Sequence, residues 1–237
     1  MRAVIIVMSS AALAAGSLLG MPAAHADTNS VTTPLGTLEM TLDGGVFSEE
    51  CTDFPYDVVV TGASPDVQWS AEIDAERDGG GSARGMSTDL GSGTFTDELM
   101  ICSSDGAGSW TATVQVMMRD TTDTTAVFNR TMTIDFTISK ASTTTTITNV
   151  NLGSSKTKVK GTVFDAAGGS ETTMFGYVTV KVKKSGGSWK SKGRTQVSED
   201  GRWSLTIEKS YATGTKFKAV YEGSDEAKRS TSAIYTS

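Results

Sequence analysis

Imidazole is nearly absent from this chain of 237 residues, whose one histidine, His25, lies in the stretch MPAAHAD at residues 21 to 27. That stretch falls where a secretory leader would be cut, so the mature protein is expected to have no imidazole at all. Ser-His-Asp and Cys-His catalysis, histidine metal ligation and a histidine pH switch are excluded with it. Cysteine is scarce too, with Cys51 and Cys102 the only two. In an exported chain an even count reads as one disulfide, the alternative being two free buried thiols. A bridge leaves no thiol nucleophile and no zinc site, and by chain entropy a loop of this length stabilises by roughly 4 kcal/mol, less any strain. Helical periodicity is nearly absent from the mature chain, and G-x-S-x-G and the phosphate-cradling G-x-x-x-x-G-K-[ST] do not occur.

What is present at the N-terminus has the three parts of a signal peptide. Arg2 is followed by an apolar stretch from Ala3 to about Leu19, then by small residues at Ala24 and Ala26. Cleavage after Ala26 makes residues 1 to 26 a removed leader and Asp27 the new N-terminus. A retained membrane anchor is the alternative, against which the run is short and broken by Ser9, Ser10, Gly16 and Ser17. No cysteine follows the apolar run for lipid attachment, and the C-terminal SAIYTS has no hydrophobic tail. The expected location is therefore outside the cell, free or held noncovalently at its surface.

The remaining length suits two domains of about 100 residues each. Charge divides them: residues 27 to 140 carry 19 acidic and 5 basic side chains, whereas residues 141 to 237 carry 8 acidic and 15 basic ones. Period-two alternation runs through both. It places Val67, Trp69, Ala71 and Ile73 on one face of a strand, Trp110, Ala112, Val114, Val116 and Met118 on one face of another, and Met132, Ile134, Phe136 and Ile138 on a third. DGG at 43 to 45, RDGGGSARG at 77 to 85 and DGAG at 105 to 108 supply turn signals. A Thr-rich joint at 139 to 146 is expected to separate an acidic, disulfide-bonded β-sandwich over 27 to 138 from a basic one over 147 to 237. In the second half VKGTVF, GYVTVKVKK, RWSLTIE, FKAVYE and SAIYT read as strands, with TTTTITNV and SWKSKGRTQV as two more, a density that argues for a sandwich.

The sequence KGTVFDAAGG, then GYVTVKVKKSGGSWK, VSEDGRWSLTI and FKAVYEGSDEAKRSTS, resembles bacterial immunoglobulin-like repeat domains over residues 143 to 237. In the first half Cys51, Trp69 and Cys102 follow the immunoglobulin order, and DGAGSWTATV resembles the turn and strand after an E to F corner. Cys102 precedes that turn instead of lying in the strand after it, which points to a bridge at one end of the sandwich, not between the sheets at its centre. The resemblance implies an all-β protein of two immunoglobulin-like sandwiches. Such domains serve adhesins, spacers and enzyme appendages alike, so it implies no particular activity.

Candidate chemistry is sparse. Ser155 to Lys158 forms an S-x-x-K, for which chance in a Ser- and Lys-rich stretch is the better explanation, since its supporting motifs are missing. Asp74, Glu76, Asp78, Asp97 and Glu98 offer carboxylates for glycoside hydrolysis, but small sandwiches seldom open a cleft for it. DAERDG at 74 to 79 resembles the opening of a calcium loop, with Asp74, Glu76 and Asp78 as ligands. Glu76 stands at position three and Gly85 at position twelve, so a solvated hairpin tip is the competing reading.

The strongest constellation is basic. If GYVTVKVKK and TKFKAVYE are the C and F strands of a sandwich, Val178, Val180, Val182, Phe217, Ala219 and Tyr221 point inward. Thr179, Lys181, Lys183, Lys216 and Lys218 then point outward as one patch, extended by Lys190, Lys192 and Arg194. Facing lysines cost stability, which suits a negatively charged partner; an ordinary solvated sheet face is the alternative. Trp189 either adds a stacking surface for sugars or caps the sandwich. The expectation is a secreted, nonenzymatic binding or structural module without a cofactor. Its partner is expected to be anionic envelope polymer or an extracellular protein, not nucleic acid and not membrane. A secreted inhibitor or accessory subunit of an extracellular enzyme is the second reading.

Overall fold

The computed structural model describes residues 26–166 and 175–237. The expected leader, apart from Ala26, lies outside the described residues. Nine strands come first: β1 (Ala26–Thr33), β2 (Gly36–Asp43), β3 (Gly45–Val46), β4 (Cys51–Thr61), β5 (Val67–Arg77), β6 (Ser82–Leu90), β7 (Gly93–Cys102), β8 (Gly108–Asp120) and β9 (Val127–Ser139). They form two sheets, ordered β1-β2-β4-β7 and β3-β9-β8-β5-β6. In immunoglobulin terms β2, β4 and β7 are strands A, B and E, facing G, F, C and C′ in β9, β8, β5 and β6. β1 is an extra strand outside A.

The alternation seen in the sequence builds the space between the sheets. Trp69 and Ile73 of β5, Trp110 and Val114 of β8, and Ile134 and Phe136 of β9 are buried in one cluster with Leu38, Met40, Tyr56, Val58 and Leu99 of the opposite sheet. The DGG signal at 43 to 45 is not a turn. There the chain changes sheets: β2 ends at Asp43, and β3 pairs in parallel with β9 from Gly45 onward. A β-carbon on Gly44 would meet the Thr137 backbone, so glycine is what lets the chain pass so close.

The second body contains β10 (Thr143–Leu152), β11 (Thr157–Asp165), β12 (Tyr177–Lys183), β13 (Lys190–Gln196), β14 (Arg202–Ile207), β15 (Lys216–Tyr221), β16 (Ser230–Thr231) and β17 (Tyr235–Thr236). One sheet is β10-β11-β14; the other is β13-β12-β15-β16, with β17 also on β15. These are again A-B-E against C′-C-F-G, with Val159, Val163, Val178, Val180, Trp203, Phe217 and Tyr221 in a core of their own. The protein is thus all-β, two immunoglobulin-like sandwiches in series. Among the described residues no helix is long and apolar enough to cross a membrane.

Two further sequence expectations change. Thr143 to Thr146, expected in the joint, begin β10 and pair with Asp165 to Thr162, so only residues 140–142 separate the strands of the two sandwiches. Threonine is β-branched, and a run of it favours extension over a flexible link. SAIYT is not one strand. Only Tyr235 and Thr236 are extended, as β17, while residues 232–234 separate it from β16, with the Ser232 hydroxyl accepting the Ala219 N–H at 2.9 Å and donating to the Ala233 carbonyl at 2.8 Å.

The sandwiches meet beside this joint. Ala141 and Ala227 form a parallel bridge, and the Lys140 ammonium donates to the Ser224 carbonyl at 2.6 Å. The Glu226 carboxylate accepts from Ser224 at 2.6 Å and, across the junction, from the buried Ser103 hydroxyl at 2.9 Å. Burial works against the Glu226 charge, but the Ser224 hydroxyl, a backbone N–H, Ser103 and nearby Lys140 outweigh it and hold the carboxyl below its ordinary pKa.

Candidate anion-binding face

β12 and β15 are neighbours, as C and F strands must be, and their register sets the lysines against each other. Lys181 lies directly opposite Lys218, and Lys183 opposite Lys216, while Val180 and Val182 face Ala219 and Phe217 on the core side. All four lysines therefore stand on the outer surface of one sheet. None has a carboxylate partner within ion-pair distance among the described residues. Trp189 joins them: the Lys218 ammonium lies 4.6 Å from its ring centroid. The indole is therefore set against the lysine face and does not cap the sandwich, a placement that leaves a cation and an aromatic plane side by side.

The other end of the same surface is electrically closed. Arg194, opposite Thr179 in the register, ion-pairs with Glu222 at 2.7 Å and lies 3.7 Å from the Tyr177 ring centroid. Thr179 donates to the same carboxylate at 2.6 Å. That hydrogen bond, against a small burial penalty and with help from Arg194, holds the Glu222 carboxyl below its ordinary pKa. Arg194 is thus committed to an internal contact and does not extend the patch.

Lys190 and Lys192 leave the patch for a different reason. Lys190 pairs with Val182, whose side chain is on the core face, so Lys190 shares that face at the open edge of the sheet. The register then shifts: Lys181 pairs with Ser191 but Val180 with Gly193, leaving Lys192 as the extra residue of a bulge. Both lysines line a cavity with Val182, joined by Lys184 from the turn after β12 and by Lys209 and Tyr211 from the segment between β14 and β15. Periodicity could not place Lys184 or Lys209, because turn residues have no alternating face.

The remaining candidates are scattered. Asp74 and Glu76 belong to β5, paired with Arg84 and Ser82, and Asp74 is held by the Arg84 guanidinium at 2.7 Å. A straight strand cannot wrap ligands around an ion as a loop does, and among the described residues no three His, Cys, Asp or Glu side chains are grouped to hold a metal. Asp97 accepts from Tyr56 at 3.2 Å and Ser87 at 3.0 Å. Its neighbour Glu98 is exposed on the same edge strand, β7. Ser155 lies in the turn before β11 and Lys158 within that strand, both exposed. Cys51 and Cys102 are bonded, and they are direct partners across β4 and β7 with Cα atoms 3.9 Å apart. The bridge thus closes one end of a single sheet. Trp69, the buried tryptophan of the C strand, packs edge-on against Phe95 at 4.9 Å.

No protein family matches this sequence, and no curated protein does. Solved structures with similar architecture include a red sea bream transglutaminase, at 10% identity and TM-score 0.37 over 86% of this chain and 31% of that one. A tetra-tandem repeat from the extending region of a large adhesion protein shares 14% identity at TM-score 0.42, over 85% of this chain and 56% of that one. The chicken interferon gamma receptor alpha chain shares 10% at TM-score 0.34, over 90% and 98%. This chain therefore spans less than two thirds of the first two. All three scores are too low to carry function across.

Proposed function

We propose that this chain is an extracellular, noncatalytic binding module whose second sandwich engages an anionic envelope polymer through Lys181, Lys183, Lys216 and Lys218. The observation that carries this reading is the direct opposition of Lys181 to Lys218 and of Lys183 to Lys216, with no carboxylate among the described residues to neutralise them. A sheet face selected only for stability would alternate its charges, because like charges directly across a strand pair are unfavourable. An array of phosphates or carboxylates spaced along a flexible chain would relieve that repulsion. Trp189, held against Lys218, adds a plane on which a sugar ring can stack.

The test is cosedimentation of the full chain with purified anionic cell-envelope polymer across a salt series. Binding is expected to weaken steadily with salt. It should fall roughly fourfold or more when the four lysines become serine, at ~0.2–1 kcal/mol for each exposed ion pair lost. Absence of binding at low salt, or equal binding by the serine variant, overturns the reading.

A further inference from the structure

The cavity at the edge of the second sandwich is separate from the flat lysine face, and it gathers four other lysines around an enclosed space. It measures about 250 Å³, and four of its lining residues are Lys184, Lys190, Lys192 and Lys209. That is below the ~300–1,000 Å³ of sites for drug-sized ligands, so a small group suits it. Three separate parts of the chain bring the lysines together. Lys184 precedes a tight turn, closed by the Gly187 N–H on the Lys184 carbonyl at 3.0 Å, in which Gly186 takes the left-handed φ of +69°. Lys190 is turned to the core side by its pairing with Val182, Lys192 is released from the ladder by the bulge, and Lys209 follows β14. None has a carboxylate within ion-pair distance among the described residues.

A second observation points to a ligand. Tyr211 forms part of the wall, is 6% exposed, and its buried hydroxyl has no hydrogen-bond partner among the described residues. Its ring is fixed edge-on against Phe217 at 5.7 Å, so the hydroxyl cannot swing away to water without disturbing the core. Burial raises the phenol pKa, keeping the group a donor at neutral pH. Natural interiors rarely leave such a group unmatched.

We infer that this cavity is a site for one compact, multiply charged oxyanion, namely inorganic phosphate or a phosphomonoester group. A single carboxylate would leave most of the lysine charge uncompensated, whereas a phosphate dianion presents several oxygens to ammonium groups from different directions. Tyr211 completes the donor set. The site extends the proposed polymer reading, because a phosphorylated chain end seated here would lie beside the sheet face that holds the chain, but phosphate binding itself does not depend on that reading.

Titration of the full ¹⁵N-labelled chain with inorganic phosphate, glycerol phosphate and sodium chloride tests it. Saturable shifts confined to residues 182 to 192 and 209 to 211 are expected for both phosphates and not for chloride. Lys184→Ser with Lys209→Ser should weaken the phosphates at least tenfold, and Tyr211→Phe, which keeps the ring, roughly three- to tenfold. Serine at Lys181, Lys183, Lys216 and Lys218 should leave phosphate binding intact while weakening polymer binding, which separates failure of one idea from failure of the other. Binding of inorganic phosphate but not of glycerol phosphate assigns the site to the free ion; binding of both admits a polymer terminus. Absence of saturable shifts, or shifts that the double serine variant and Tyr211→Phe both leave unchanged, overturns the site.

Discussion

Gly161 lies on β11 opposite Ile147, next to the point where the β10 register slips between Ile147 and Asn149. A β-carbon there would run into the Thr146 carbonyl oxygen and the Trp203 ring. Gly161→Ala is therefore expected to destabilise the fold by about 1–3 kcal/mol through overpacking, seen as a lower denaturation midpoint. An unchanged midpoint would show that both the Thr146 backbone and the tryptophan give way at no cost. Tyr56 makes a different residue-scale case: it is buried, and its hydroxyl meets Ser87 at 2.8 Å and Asp97 at 3.2 Å. Burial, countered by the Ser87 hydrogen bond and reinforced by the Asp97 charge, raises its phenol pKa. A raised pKa means stability that is intact below the ordinary phenol value near 10 and lost as pH rises through the folded-state value. Tyr56→Phe should cost about 1 kcal/mol at neutral pH and flatten the alkaline decline in stability. Tyr211 and Tyr221, also raised by burial, would keep part of that decline in place.

At the scale of strands, alternation made the inward and outward sets of β5, β8, β9, β12 and β15 legible, because each places apolar residues two apart against polar ones. The outward lysines of β12 and β15 followed from it, their meeting as one patch rested on the resemblance that makes these strands C and F, and their direct opposition is set by the register. β13 was legible as a strand but its faces were not: KSKGRTQ has no apolar residue to phase it, so neither its bulge nor the inward turn of Lys190 has a sequence signal. The sheet change at Gly44 was hidden because glycine and aspartate mark turns and close approaches equally well. The lysine pairs predict an inverted effect of mutation. Lys183→Thr removes one of two like charges from a cross-strand pair and installs a β-branched residue, so stability should rise by about 0.2–1 kcal/mol in low salt. The gain should shrink as salt is added. A loss of stability instead would mean that the lysine stem contributes packing worth more than the repulsion.

For the molecule as a whole, the Glu226 contact with Ser103 ties the loop after β15 to the turn that follows the disulfide. Its lowered pKa fixes the sign of the pH effect: the charged contact is complete above the ordinary glutamate range and is lost as pH falls through the lower folded-state value. Tumbling of the two sandwiches, measured by ¹⁵N relaxation, should be correlated at neutral pH and become independent in acid, whereas Glu226→Ala should uncouple them at neutral pH. Correlated tumbling of that variant would show that the short joint, fastened to the second sandwich by the Ala141–Ala227 bridge, holds the two together without the carboxylate. The disulfide has a mechanical consequence as well. It joins adjacent strands and encloses a sequence separation of 51. At ~3.3–3.6 Å of extended chain per residue, about 170 Å of contour length is locked away from any pull on the ends. A tether under tension would first strip β1 from β2, beginning at Ala26 and Asp43, and then load the parallel β3–β9 pairs, Gly45 with Ile138 and Val46 with Ser139, in shear. After they part, single-molecule stretching should record an extension shorter by that hidden length, restored by reduction of the bridge. The protein is thus built with a stop that limits how far its first sandwich can be drawn out.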